Sequence, residues 1–114
     1  MTRDLTLFPE NDIGNTLWQM QQSGEDLQTE REIEFSVLFP TQALALQYGQ
    51  LLLENNQKIS FTPFEGNESL PWEITAYPSM VADYNNISAY QELIETSAAP
   101  LKGQFDGMYF LPTV

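Results

Sequence analysis

Carboxylates are the only abundant reactive side chains in this sequence. Sixteen Asp and Glu stand against four bases, Arg3, Arg31, Lys58 and Lys102, with no Cys and no His. Two carboxylates at a suitable separation can serve as acid and base, or as acid and nucleophile, on a glycosidic bond. That chemistry needs converging groups with one pKa raised by its surroundings. No spacing in the chain singles out such a pair, and sixteen acids make coincidental neighbours common. A carboxylate-based hydrolase is therefore the weakest of the function classes, and no residue is assigned as catalytic. The missing Cys and His exclude disulfides, thiol catalysis, thiolate zinc sites, the Ser-His triad and a histidine pH switch. The stretch "PENDIGN", Pro9 to Asn15, lacks the D-x-[DN]-x-[DN]-G spacing and closing Glu of a calcium loop, so Asp12 is read as a helix cap. In "SGEDL", Asp26 is read as a residue that caps or bridges a helix exit. No metal and no cofactor is expected.

The net charge of −12 bears on partners. A field of that sign repels phosphate backbones, and four scattered bases make no nucleic-acid footprint. The same field attracts a basic protein and speeds its association. Direct nucleic-acid binding is thus not expected, whereas contact with a basic protein is. No run approaches the ~20 apolar residues of a membrane span, and the N-terminus has no apolar stretch of signal-peptide length. These features predict a soluble, cytoplasmic protein. Nothing in the sequence indicates its oligomeric state.

The elements that must position these charges can be read from periodicity. With 42% hydrophobic residues, 114 residues make one globular domain, residues 1–114. Ile13, Leu17 and Met20 mark a first helix, ended by Ser23-Gly24, with Gly24 in the left-handed position. "REIEFSVLF" alternates strictly: Ile33, Phe35, Val37 and Phe39 point inward, and Glu32, Glu34 and Ser36 outward. Pro40 closes this strand and Thr41 caps a helix running to about Asn56, with an inward stripe of Leu44, Tyr48, Leu51 and Leu52. Leu46 and Leu53 fall off that stripe, either exposed or covered by the N-terminal segment. "KISFTPF" is a second strand whose Pro63 belongs at a sheet edge or a strand end. "WEITAY" is a third, with Trp72, Ile74 and Ala76 inward and Glu73, Thr75 and Tyr77 outward. A helix then runs from about Asp83, or as early as Ser79, to Ala98, and "GQFDGMYFL" is a fourth strand.

Two strand–helix–strand units after a leading helix predict an α+β, ferredoxin-like split βαβ sandwich. It has a four-stranded antiparallel sheet and an extra N-terminal helix. Right-handed crossovers place the first and third strands side by side at the centre. The Asp106-Gly107 pair sits too close to the preceding loop for a hairpin, so a bulge or kink is expected, with unusual backbone geometry at Gly107. The outward row Glu32, Glu34 and Glu73, with Tyr77 as an aromatic anchor, is the candidate partner-binding surface. Asp106 and Tyr109 on the last strand form a second candidate. As a purely structural alternative, the row is only the wet face of an antiparallel sheet, open or partly covered by residues 1–22.

Four stretches, "FPENDIGNTLWQMQQSGEDL", "EIEFSVLFPTQ", "WEITAYPSMVADYNNI" and "KGQFDGMYF", cover nearly the whole chain in order. Together they resemble the ribonuclease E inhibitor family of RraB-like proteins. The matching positions are Asp12 and Gly14 at the first helix start, and Gly24 and Asp26 at its exit. Trp72 matches in the third strand, Met80 leads the following helix, and Gly103, Asp106 and Gly107 match the terminal motif, where Met108 replaces a frequent Trp. The resemblance implies a ferredoxin-like sandwich that binds another protein and modulates a ribonuclease, without catalysis of its own. The remaining alternative is an interaction or immunity-type protein with an unrelated partner.

Overall fold

The strictly alternating segment forms β1, Glu30–Phe39, and the rest of the sheet assembles around it. In the computed structural model, which describes residues 3–24 and 27–110, α1 spans Asp12–Gln22 ahead of it. After β1 come α2 (Gln42–Glu54), β2 (Ile59–Pro63), β3 (Trp72–Ala76), β4 (Ser79–Val81), α3 (Tyr84–Ala98) and β5 (Gln104–Phe110). A short 3-10 turn, Ala99–Leu101, carries Pro100 and separates α3 from β5.

All strand pairs are antiparallel. β3 pairs with Phe35 to Phe39 and β4 with Glu30 to Glu32, so the two lie in succession along one edge of β1. β5 takes the other edge and β2 flanks β3. The first and third strands therefore sit side by side at the centre, as expected from the two strand–helix–strand units. The sheet nevertheless has five strands rather than four, because the chain regains the ladder after Tyr77-Pro78. The Pro78 carbonyl accepts from Ile33 N at 3.0 Å, and Ser79 to Val81 then pair with β1. Met80 accordingly lies in a strand rather than at the head of a helix, and α3 starts only after Asp83, whose carboxylate accepts from Asn86 N at 2.7 Å.

Local caps explain the other boundaries. Asn11, not Asp12, caps α1: its side chain accepts from Gly14 N at 2.8 Å, and Asp12 becomes the first helical residue, where a carboxylate favours the helix dipole. Gly24, with φ of 81°, takes the left-handed position past the helix end. Thr41 caps α2, accepting from Leu44 N at 3.2 Å, and α2 ends at Glu54. At Gly14 an added Cβ would overlap the Pro9 backbone, so this glycine lets the N-terminal segment cross α1 closely. Gly14→Ala should cost about 1–3 kcal/mol, the usual penalty of overpacking. Equal urea midpoints for the two proteins would show that Pro9 gives way freely.

One face of the sheet carries Ile33, Phe35, Val37, Phe39, Ile74 and Ala76, all buried. Ala45, Tyr48 and Leu52 of α2 and Ile94 and Ala98 of α3 pack over its β3 side. Leu17 of α1 and Ile87 of α3 pack with Ile33 and Phe35. All three helices thus share one layer, and α1 leaves the opposite sheet face open. Two expected core residues shift outward. Leu51 is 39% exposed, because the inward stripe of α2 narrows to Ala45, Tyr48, Gly49 and Leu52. Trp72 is half-buried and stacks on Phe61 of edge strand β2 at 5.5 Å between centroids. Leu46 and Leu53 are exposed, not covered by the N-terminal segment.

Candidate protein-binding site

The open face of the sheet is divided by a row of small hydroxyls. Ser36 faces Thr75 across β1 and β3, with their oxygens 3.3 Å apart, and Ser60 of β2 faces Thr75. Ser36 and Thr75 are only 4% and 6% exposed, and Leu38 on the same face is 3% exposed. The face is therefore drier at its middle than strict alternation suggests.

The six expected binding residues separate into two groups around this row. Glu32 forms an ion pair with Lys58 at 3.2 Å, and the Lys58 ammonium also lies 5.3 Å from the Tyr77 ring centroid. The Tyr77 hydroxyl lies 2.8 Å from that of Ser60. Tyr77 and Glu32 are thus engaged within the chain, and this exposed pair contributes at most about 1 kcal/mol. Glu34 lies directly opposite Tyr109 across β1 and β5. Glu73 pairs with Leu38 and accepts from Thr62 Oγ1 at 3.3 Å. Since Leu38 is four positions from Glu34, the two acids stand roughly 13 Å apart along the strand direction. The acids form no compact cluster, and among the described residues no group of three or more Asp or Glu is placed to hold a metal ion.

The Asp106-Gly107 pair is resolved by the same register. Ser36 pairs with Gly107 but Val37 with Phe105, so Asp106 is the extra residue of a bulge in β5. The expected bulge is present, but the unusual backbone geometry expected at Gly107 is not: its φ lies outside the left-handed region. The Tyr109 ring lies across this glycine. A Cβ there would meet Tyr109 Oη at 2.9 Å. Seated this way, Tyr109 remains 50% exposed beside Glu34. Gly103 plays a packing role, its Cα lying against the Phe39 ring and Ala98. Asp26 lies outside the described residues.

One feature that periodicity did not reveal lies between the helices. The Tyr48 hydroxyl reaches across to Ser97 Oγ at 2.8 Å, and the Tyr90 hydroxyl donates to Gln57 Oε1 at 3.0 Å. Burial raises the Tyr48 pKa against the smaller lowering effect of Ser97. Burial, with a lesser contribution from Tyr48, pushes Tyr90 up from 10.0 to about 12. An unfolded chain loses these protons near pH 10 while the folded chain keeps them. Stability is therefore intact below pH 10 and declines as pH rises toward 12. Urea midpoints should drop from pH 9.5 to pH 11.5, and less so in Tyr90→Phe; an identical drop in that variant would contradict the assignment.

The family profile described as regulator of ribonuclease activity B matches residues 10–109, nearly the whole chain. The chain belongs to the RraB family. No match was found among curated proteins or among solved structures. RraB proteins are regulators of ribonuclease activity rather than enzymes. The matched region holds three glycines whose local roles the structure gives. Gly14 permits a close crossing, Gly24 ends a helix, and Gly107 seats an aromatic ring. Among the described residues, no helix is long and apolar enough to cross a membrane.

Proposed function

We propose that the chain regulates a ribonuclease of the ribonuclease E type by non-catalytic contact. The contact surface is the part of the open sheet face that carries Glu34, Glu73, Asp106 and Tyr109. The observation that carries this reading is the pairing of Glu34 with a half-exposed Tyr109 held on Gly107. A half-exposed aromatic beside an uncompensated carboxylate suits a basic partner, because tyrosine anchors supply contact area at low entropic cost and the acid adds electrostatic attraction. Glu32 and Tyr77, already bonded to Lys58 and Ser60, frame this surface rather than anchor it. The net charge of −12 supports the same sign of partner.

Calorimetric titration of ribonuclease E from the same cell, at several salt concentrations, tests this. Affinity should fall at least tenfold between ~0.1 M and ~0.5 M salt, as the screening length shrinks from about 10 Å to a few ångströms. Binding that ignores salt, or no binding at either concentration, would refute the proposal.

A further inference from the structure

β5 and β2 bound the sheet on its two sides, and their free edges differ. The bulge at Asp106 interrupts β5, whereas β2 pairs with β3 in unbroken register from Ile59 to Pro63. The Lys58 carbonyl accepts from Tyr77 N at 2.9 Å, and Phe64 N donates to the Pro71 carbonyl at 2.7 Å. Antiparallel alternation therefore turns the backbone groups of Ser60 and Thr62 toward β3, and those of Ile59 and Phe61 away from the sheet. The outward donors end there on both sides. Pro63 has no N–H, and Gln57 N already donates to the Leu52 carbonyl at 3.0 Å. Natural sheet edges are commonly blunted by charges or bulges, and Ile59 to Thr62 carry neither.

The helix beside this edge is bare on the same side. Gly49 rests on β2, where an added Cβ would meet Ile59 Cδ1 at 3.0 Å. Tyr48 turns the other way, its hydroxyl on Ser97 of α3. Leu46 and Leu53 stand three residues before and four after Gly49, so they share its flank of α2, the one away from α3. They are 49% and 53% exposed.

Charge and symmetry select the occupant. From Gln42 to Thr62 the charged residues are Glu54 and Lys58 alone, so α2 and β2 together are neutral in a chain of −12. Lys58 is already paired with Glu32. This edge therefore offers a basic or an acidic partner little to recognise, and it meets a copy of itself without local like-charge opposition. A two-fold interface must be self-complementary. With the strands antiparallel and centred on Ser60, Ile59 exchanges both backbone bonds with Phe61 of the second copy, and Phe61 with its Ile59. No donor or acceptor of those residues is left over. Lys58 then faces Thr62 across the pair, and two serines meet on the axis.

We propose that the β2 edge and the Leu46–Leu53 flank of α2 bind a second copy of this chain. The two sheets join into one, and the leucines of one α2 pack against those of the other. This surface lies across the sheet from β5 and Tyr109, and the proposal does not depend on the ribonuclease reading. The rest of each chain is acidic, so the dimer forms against long-range repulsion and added salt tightens it. That is the reverse of the salt effect expected for the ribonuclease contact.

Sedimentation equilibrium of the native protein, up to ~1 mM and at ~0.05 M and ~0.5 M salt, tests this. The mass should rise from one chain toward two with concentration, and at lower concentration in the higher salt. Leu46→Gln with Leu53→Gln leaves the net charge unchanged and should weaken the dimer at least tenfold. Both leucines are exposed, so folding is expected to survive, and urea unfolding checks it. Amide exchange on the native protein gives a second readout that needs no variant. The Ile59 and Phe61 amides should exchange more slowly as concentration rises, while those of Ser60 and Thr62, already bonded to β3, should change far less. A chain that stays monomeric at ~1 mM in ~0.5 M salt, or a dimer that salt weakens, would overturn the proposal. So would a dimer that the folded leucine variant forms equally well, or concentration-dependent protection along β5 instead of β2.

Discussion

Phe35→Ala is expected to lower the free energy of unfolding by about 3–5 kcal/mol, the usual range for a deleted buried aromatic. Phe35 sits at the middle of the central strand, fully buried, opposite Ala76 on one side and Met108 on the other. Its ring lies 4.7 Å from that of Tyr90 and 6.3 Å from that of Phe105, so truncation opens a cavity between α3 and β5. Neighbours held by both a helix and a strand collapse poorly into such a space. Trp72→Ala should cost only about 1–3 kcal/mol, since the indole is half-buried and loses mainly its stack on Phe61. Urea unfolding of both variants checks the order. A loss under about 1 kcal/mol for Phe35→Ala, or a larger loss for Trp72→Ala, would contradict the placement of the core.

The second large effect is on binding. Tyr109→Ala should weaken contact with ribonuclease E by about 30-fold, the roughly 2 kcal/mol of a central aromatic anchor. Glu34→Lys with Glu73→Lys should slow association and weaken its salt dependence, because both charges at the contact now oppose a basic partner. Glu32→Lys should matter less, since Glu32 is already compensated by Lys58 at 3.2 Å. Surface plasmon resonance separates the two effects, Tyr109→Ala acting on dissociation and the charge reversals on association. If Glu32→Lys alone had the larger effect, the contact would centre on the β2 side of the face.

Much of this architecture was legible in the sequence. Alternation from Ile33 to Phe39 identified the central strand, and Pro63 correctly marked a strand end at a sheet edge. The strand at Ser79–Val81 was not legible, because three residues after a proline carry no period, and only their pairing with β1 makes them a strand. The hydrophobic stripe of α2 was drawn too wide at Leu51, since periodicity gives an angle but not the gap to the next helix. The candidate site shows the same division. Parity alone placed Glu34 and Glu73 on the outward face, while Asp106 and Tyr109 were offered as a separate candidate on the last strand. That Tyr77 and Glu32 are occupied by Ser60 and Lys58 depends on the register of β2 against β3, which residue types do not reveal. Gly107 was singled out as a bulge residue, but the extra residue is Asp106, and Gly107 instead lies under the ring two positions ahead.

The central claim, regulation of a ribonuclease by contact through the Glu34–Tyr109 surface, is tested most directly by RNA cleavage. Ribonuclease E would be assayed on a fixed RNA substrate with rising amounts of the native protein, and then of a folded Tyr109→Ala, Glu34→Lys variant. The account predicts that the native protein changes the cleavage rate in a saturable manner and that the variant requires at least tenfold more protein for the same change. A native protein without effect at saturation, or a variant as potent as the native chain, would contradict it.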